Sequence, residues 1–167
     1  MEIFLLRHAI AEERDSQIYP NDAHRPLAKK GIQKMQEAAR GMKHMKLRFD
    51  RMVSSPFARA KQTAEIVAAV FRMQKKLNYS KHLACDGSSK DLVQELKSKY
   101  KRHGSLLLVG HEPYLSELIS LWVSGDGGLS VTLKKGGLCK LTLSAYRHGQ
   151  CGDLEWLLSP KHLRLMA

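Results

Sequence analysis

Apolar positions along this chain alternate between short continuous runs and stripes at helical spacing. The run EIFLLR (2–7) is strand-like and ends in Arg7, with His8 directly after it. After a loop rich in Asp, Asn and Pro, residues 25–45 place Ile32, Met35, Ala39, Met42 and Met45 near helical spacing, which predicts an amphipathic helix. FDRMVSS (49–55) predicts a second strand. Residues 56–72 predict a helix opened by Pro56, with Ala60, Ala64, Val67 and Phe71 on one face. LNYSKHL (77–83) fits a short strand, and residues 88–100 a helix capped by Ser88 or Ser89. SLLLVG (105–110) is a continuous apolar run beyond Ser105, as expected of a strand buried on both faces. Residues 112–125 predict a helix closed by Gly125. GGLCKLTLSA (136–145) and GDLEWLLSP (152–160) then predict two late strands joined by the polar turn YRHGQC.

Strands alternating with helices predict an α/β fold. The expected architecture is a single-domain three-layer α/β/α sandwich spanning residues 1–167. Its sheet is mostly parallel, and the two late strands form an antiparallel edge. In such sheets ligands bind at the carboxyl ends of the parallel strands.

Composition adds little to the fold. A hydrophobic content of 43% is ordinary for a globular protein, and no apolar run approaches the roughly 20 residues of a membrane span. No signal-peptide pattern opens the chain, so a cytoplasmic protein is expected. The cysteines Cys85, Cys139 and Cys151 show no metal-ligand spacing and are expected to be free thiols. The net charge of +12 raises the question of nucleic acid, but the basic residues are dispersed and not interleaved with aromatics. We expect neither nucleic acid nor membrane as partner, and a monomer whose charge helps to capture anionic partners.

The chemistry collects at strand ends. The first strand ends in Arg7-His8, the second leads into a helix carrying Arg59, and the buried run ends in His111. Parallel strands would bring these four groups to one edge. A cluster of cations repels itself unless an anion joins it, and a phosphoryl group suits two arginines and two histidines. Glu112 is expected to open the next helix there, offering its backbone N–H. Each residue taken singly has a structural alternative as a surface charge, a cap or a satisfied core histidine; their common topological position carries the inference.

The motifs carry a family resemblance. LLRHAIAEE resembles the Arg-His-Gly signature of the histidine phosphatase (phosphoglycerate-mutase-like) superfamily, with Ala9 in place of the usual Gly. VSSPFARAKQTAEIV is similar to that family's second motif, and LLLVGHEPYLSELI to its late Gly-His-x-Pro motif. HRPLAKKG and LEWLLSP resemble the small bacterial SixA-type phosphohistidine phosphatases. The resemblance implies a hydrolase with no cofactor and no metal. His8 would be the nucleophile, forming a phosphohistidine intermediate. Arg7, Arg59 and a protonated His111 would stabilise the transferred phosphoryl group. Arg25, in HRPLA, is expected to act behind these groups or to touch substrate. Asp86, in LACDGSS, stands roughly where larger relatives keep a proton donor, although a turn role for Asp-Gly fits as well. Glu12, Asp15 and Asp22 are given no role. The expected partner is a phosphohistidine-bearing protein such as a histidine-containing phosphotransfer domain. The alternatives are a general phosphomonoesterase or sugar-phosphate phosphatase, and a non-catalytic phosphate-binding module.

Overall fold

The computed structural model describes residues 1–167. In chain order the elements are β1 (Glu2–Arg7), α1 (Lys29–His44), β2 (Arg51–Ser54), α2 (Ala58–Phe71), β3 (Leu77–Tyr79), α3 (Ser89–Lys99), β4 (Ser105–Gly110), α4 (Tyr114–Ser124), β5 (Leu138–Leu143), β6 (Gly152–Leu158) and α5 (Pro160–Leu165). One six-stranded sheet runs β3-β2-β4-β1-β5-β6. The first four strands in that order are mutually parallel, and β5 and β6 add the antiparallel edge. This is the α/β architecture the pattern predicts.

Strand alternation divides the core. Ile3, Leu5, Val53, Leu106 and Leu108 face α3 and α4, where Leu92, Leu96, Leu115, Ile119 and Trp122 meet them. Phe4, Leu6, Met52, Leu107 and Val109 face the other way, onto Met35, Ala39 and Met42 of α1, Ala60, Ala64 and Val67 of α2, and Leu163 of α5. All six residues of β4 are buried, which explains its unbroken apolar run. No helix is long and apolar enough to cross a membrane.

Boundaries shift by up to four residues, and three shifts have a visible cause. The predicted strand over 77–83 stops at Tyr79, because Ser80 accepts from the His82 N–H and starts a short 3-10 turn at Lys81–Leu83. The predicted helix over 112–125 starts only at Tyr114; Glu112 and Pro113 form an irregular step joined by a cis peptide bond. The last predicted strand ends at Leu158, and α5 follows. Its signal was present in the sequence. Ser159 caps the helix by accepting from the His162 N–H, and Pro160 sits at its start, where a missing N–H costs nothing.

Helix α1 packs directly on the main chain that follows the Arg7-His8 pair. A Cβ at Gly31 would stand 1.9 Å from the Ile10 carbonyl oxygen. Alanine in a helix interior gains about 0.8–1 kcal/mol over glycine. Overpacking against backbone typically costs on the order of 1–3 kcal/mol, so the clash prevails. Gly31→Ala should therefore lower Tm by a few degrees, at about 2–4 °C per kcal/mol for a chain of this size. An unchanged or higher Tm would show that α1 does not rest on Ile10.

Candidate active site

Strand register puts the chemistry on one level. Arg7 pairs with Gly110 across β1 and β4, and Ser54 pairs with Val109 across β2 and β4. The residues immediately beyond these ends are His8, Ser55 and His111, and Arg59 lies in the first turn of α2. The His8 and His111 rings stand 5.1 Å apart between centroids. His8, Arg59 and His111 are only 6%, 3% and 1% exposed, so these polar groups form a floor rather than a surface patch.

The His8 ring is oriented by its own main chain. Its Nδ1 lies 2.7 Å from the Ala9 carbonyl oxygen, so that nitrogen carries the hydrogen and Nε2 keeps its lone pair. Burial holds the His8 pKa to about 3; the Ala9 bond opposes this, while Arg59, Arg7 and Lys135 reinforce it. The ring is therefore neutral and nucleophilic near neutral pH. Its backbone is also pinned. The His8 N–H donates to Gly110 O at 3.0 Å, and Gly136 donates to the carbonyls of Arg7 and His8, each at 3.1 Å. Gly136 does so with φ at +77°, a left-handed conformation that favours glycine. The Ala9 N–H donates to Thr63 Oγ1 at 3.0 Å, and that hydroxyl donates to Arg59 O at 2.7 Å. Thr63 thus ties the end of β1 to the first turn of α2.

His111 departs from expectation. The sequence suggests a protonated ring, but burial, His8 and Arg59 hold its pKa to about 3 against the opposing charge of Asp22. It is neutral as it stands, and an anion placed beside it would work in the opposite direction. Its Nε2 lies 2.8 Å from Ser55 Oγ, which also accepts from the Phe57 N–H at 3.3 Å. With Ser55 donating to Nε2, the hydrogen of His111 resides on Nδ1. That Nδ1 is buried without a partner, as are Arg7 Nε and Arg59 Nε.

The arginines are held from behind. Arg7 Nη1 donates to Leu133 O at 2.9 Å. Arg59 Nη1 donates to the Asp22 carbonyl at 2.8 Å, its Nη2 lies 3.0 Å from Asp22 Oδ2, and Nη2 also reaches Cys85 Sγ at 3.4 Å. Arg25 donates from Nε to Asp22 Oδ1 and from Nη1 to Glu12 O, both at 2.8 Å. Arg25 therefore positions Asp22 and the loop that carries it.

The remaining expectations fare differently. Asp86 lies in an exposed turn; its charge is felt at Cys85, but it joins none of the hydrogen bonds just described. The Glu112 N–H takes no partner among the turn and loop hydrogen bonds, yet it does not sit at a helix start as expected, since α4 begins two residues later. The Glu112 carboxyl accepts from Ser116 Oγ, leaves Oε1 buried without a partner, and is pushed up by burial against the pull of Ser116 and Arg7. Asp22 is given no role by the sequence and Ser55 and Thr63 are not singled out there, yet all three hold the cluster together. Ser55 and Thr63 lay within the second motif, where their hydroxyls were the available signal. All three cysteines are unpaired. No group of three or more His, Cys, Asp or Glu side chains is placed to hold a metal ion.

Residues 3–83 match the family described as "Histidine phosphatase superfamily (branch 1)". The chain is 34% identical over 166 residues to an uncharacterised protein of Picosynechococcus sp., covering 98% of this chain and 99% of that one. It is 25% identical over 167 residues to the phosphohistidine phosphatase SixA of Escherichia coli, covering 99% and 98% of the two chains. Its fold matches the solved structure of the protein histidine phosphatase SixA complexed with tungstate, with a TM-score of 0.82 at 24% identity over 98% of this chain and 99% of that one.

Proposed function

This chain belongs to the histidine phosphatase superfamily, whose members are phosphatases with a histidine nucleophile, and we propose that it removes phosphoryl groups from protein histidine. The observation that carries a phosphoryl-binding site is the set of three buried, unpartnered nitrogens, Arg7 Nε, Arg59 Nε and His111 Nδ1. A buried polar group without a partner costs on the order of 1–3 kcal/mol. Three of them around one nucleophile are accounted for if an oxyanion completes the site.

In this reading His8 Nε2 attacks phosphorus while Ala9 O holds the proton on Nδ1. Arg7, Arg59 and His111 stabilise the equatorial oxygens. Water then attacks the phosphohistidine intermediate and releases phosphate. The arginines supply the charge stabilisation, so the scheme requires no metal. The phosphohistidine assignment is supported by the SixA relative and by the character of the carboxyls of Asp86 and Glu112. An alkoxide leaving group wants a positioned general acid, whereas a protonated imidazole leaves without one. Asp86 is exposed and unattached. Glu112 is the observation favouring the rival phosphomonoesterase reading, because burial pushes its carboxyl up towards the protonated form.

The test compares turnover of a phosphohistidine protein or peptide with alkyl and aryl phosphate esters. Phosphohistidine should be fastest and alkyl esters slowest. Asp86→Asn should change the phosphohistidine rate by less than about tenfold, below the ~10²–10⁴ contributed by a true general acid. Efficient alkyl-ester hydrolysis that collapses in Asp86→Asn or Glu112→Gln would move the protein to the phosphomonoesterase reading.

A further inference from the structure

Asp22 is the carboxylate ion-paired with Arg59 and Arg25. Its Oδ1 lies 2.8 Å from Arg25 Nε and 4.0 Å from Arg14 Nε, and its Oδ2 lies 3.0 Å from Arg59 Nη2. The loop that carries it is fixed. Asn21 accepts from the Ala23 N–H to start the 3-10 turn at Asp22–His24, and Arg25 clamps Glu12 O. The side chain of Asp22 is 33% exposed, against 4% for that of Arg59. Asp22 therefore stands where the buried floor meets solvent.

That position has a chemical meaning. In-line displacement puts the leaving group opposite the attacking nitrogen. With His8 in the floor, the leaving group points towards the mouth, the level at which Asp22 sits. We propose that Asp22 reads the leaving group, favouring the protonated imidazole of a phosphohistidine and opposing the alkoxide of a phosphate ester. The proposal rests on the phosphohistidine reading above and makes Asp22 the residue that sets its selectivity.

The step balances without an enzyme acid. The substrate ring takes a proton from solvent on its unphosphorylated nitrogen. The lone pair of His8 Nε2 forms the new N–P bond. The electron pair of the old P–N bond stays on the departing nitrogen, and neutral imidazole leaves carrying the added proton. A carboxylate beside that N–H accepts a charge-assisted hydrogen bond and stabilises the protonated ring. Asp22 has capacity for it. A carboxylate offers about four acceptor sites, and each oxygen is engaged at hydrogen-bond distance by a single arginine nitrogen. Arg25, then Arg59 and Arg14, hold its carboxyl below the usual range against the effect of burial, so it is ionised near neutral pH. An ester leaves with developing negative charge, which the same carboxylate repels.

Asp22→Asn keeps the shape and one acceptor for Arg59 but removes the charge. The ratio of kcat/KM on a phosphohistidine peptide to that on p-nitrophenyl phosphate should fall by about tenfold or more. The high-pH limb of kcat on the peptide should also move to lower pH, because the bound imidazole loses the carboxylate that raises its pKa. The other groups near Asp22, namely Arg14, Arg25, Arg59, Cys85 and His111, are unchanged in the variant, so the displacement reports on Asp22. Inhibition by inorganic phosphate should persist, and Asp22→Glu should recover part of the ratio. Equal losses on both substrates with an unmoved pH limb, or loss of phosphate binding, would reduce Asp22 to an anchor for Arg59 and overturn the proposal. A wild-type enzyme that cleaves the ester but not the peptide would instead overturn the phosphohistidine reading, and the proposal with it.

Discussion

His8→Ala should reduce turnover to background and abolish a covalent phosphoryl-enzyme. Loss of a nucleophile costs up to about 10⁶ in kcat where it has been dissected in another covalent enzyme. Here no neighbouring group can substitute. His111 engages Ser55 through Nε2, burial pushes the Cys85 thiol beside Arg59 up and keeps it protonated, and the arginines are not nucleophiles at neutral pH. Brief reaction with labelled substrate and a rapid quench should leave acid-labile, alkali-stable label on the wild type and none on the variant. Because His8 in the free enzyme is held to about 3, its protonation should produce no acid limb in kcat/KM above about pH 4. The variant should fold, since the backbone bond from residue 8 to Gly110 does not involve the side chain. Label on Cys85 or a serine would end the reading.

Arg59→Ala should lose about 10²–10³ in rate and bind phosphate or vanadate more weakly. Arg59 is the most deeply buried arginine of the cluster, and its terminal nitrogens are already oriented by the carbonyl and carboxylate of Asp22. Such a donor requires little reorganisation when charge develops on the phosphoryl oxygens. The stability cost should be modest, because Asp22 keeps Arg25 and is partly in water. Arg59→Lys should not restore the rate, since a lysine cannot match the planar fork that meets Asp22 and a phosphoryl group together. Near-normal turnover in Arg59→Ala would make the second motif structural and undo the convergence of strand ends on one anion.

Much of the site was legible because its parts are local. Arg7-His8 and His111 directly follow apolar runs, and a parallel sheet turns that common position into proximity. β4 was legible because burial on both faces leaves only Ser105, at its start, polar, and that hydroxyl is satisfied by the Arg48 carbonyl. The α4 boundary was not, since Glu-Pro resembles a helix start in sequence while the chain makes an irregular step there. α5 was missed because its six residues are too short to show a period, although its Ser-Pro cap was present.

The sequence by itself determined the alternation of strands and helices, the two faces of each strand, and which arginines and histidines occupy strand ends. These follow from periodicity and from the topology that periodicity imposes. Only the tertiary structure decided how those groups are held and charged. Asp22 meets Arg59 across 37 residues, Thr63 meets Ala9 across 54, and His111 meets Ser55 across 56. No local pattern encodes partnerships at such separations. The neutral state of His111 was equally hidden, because desolvation acts only once the sheet edge and its helices have closed around the ring.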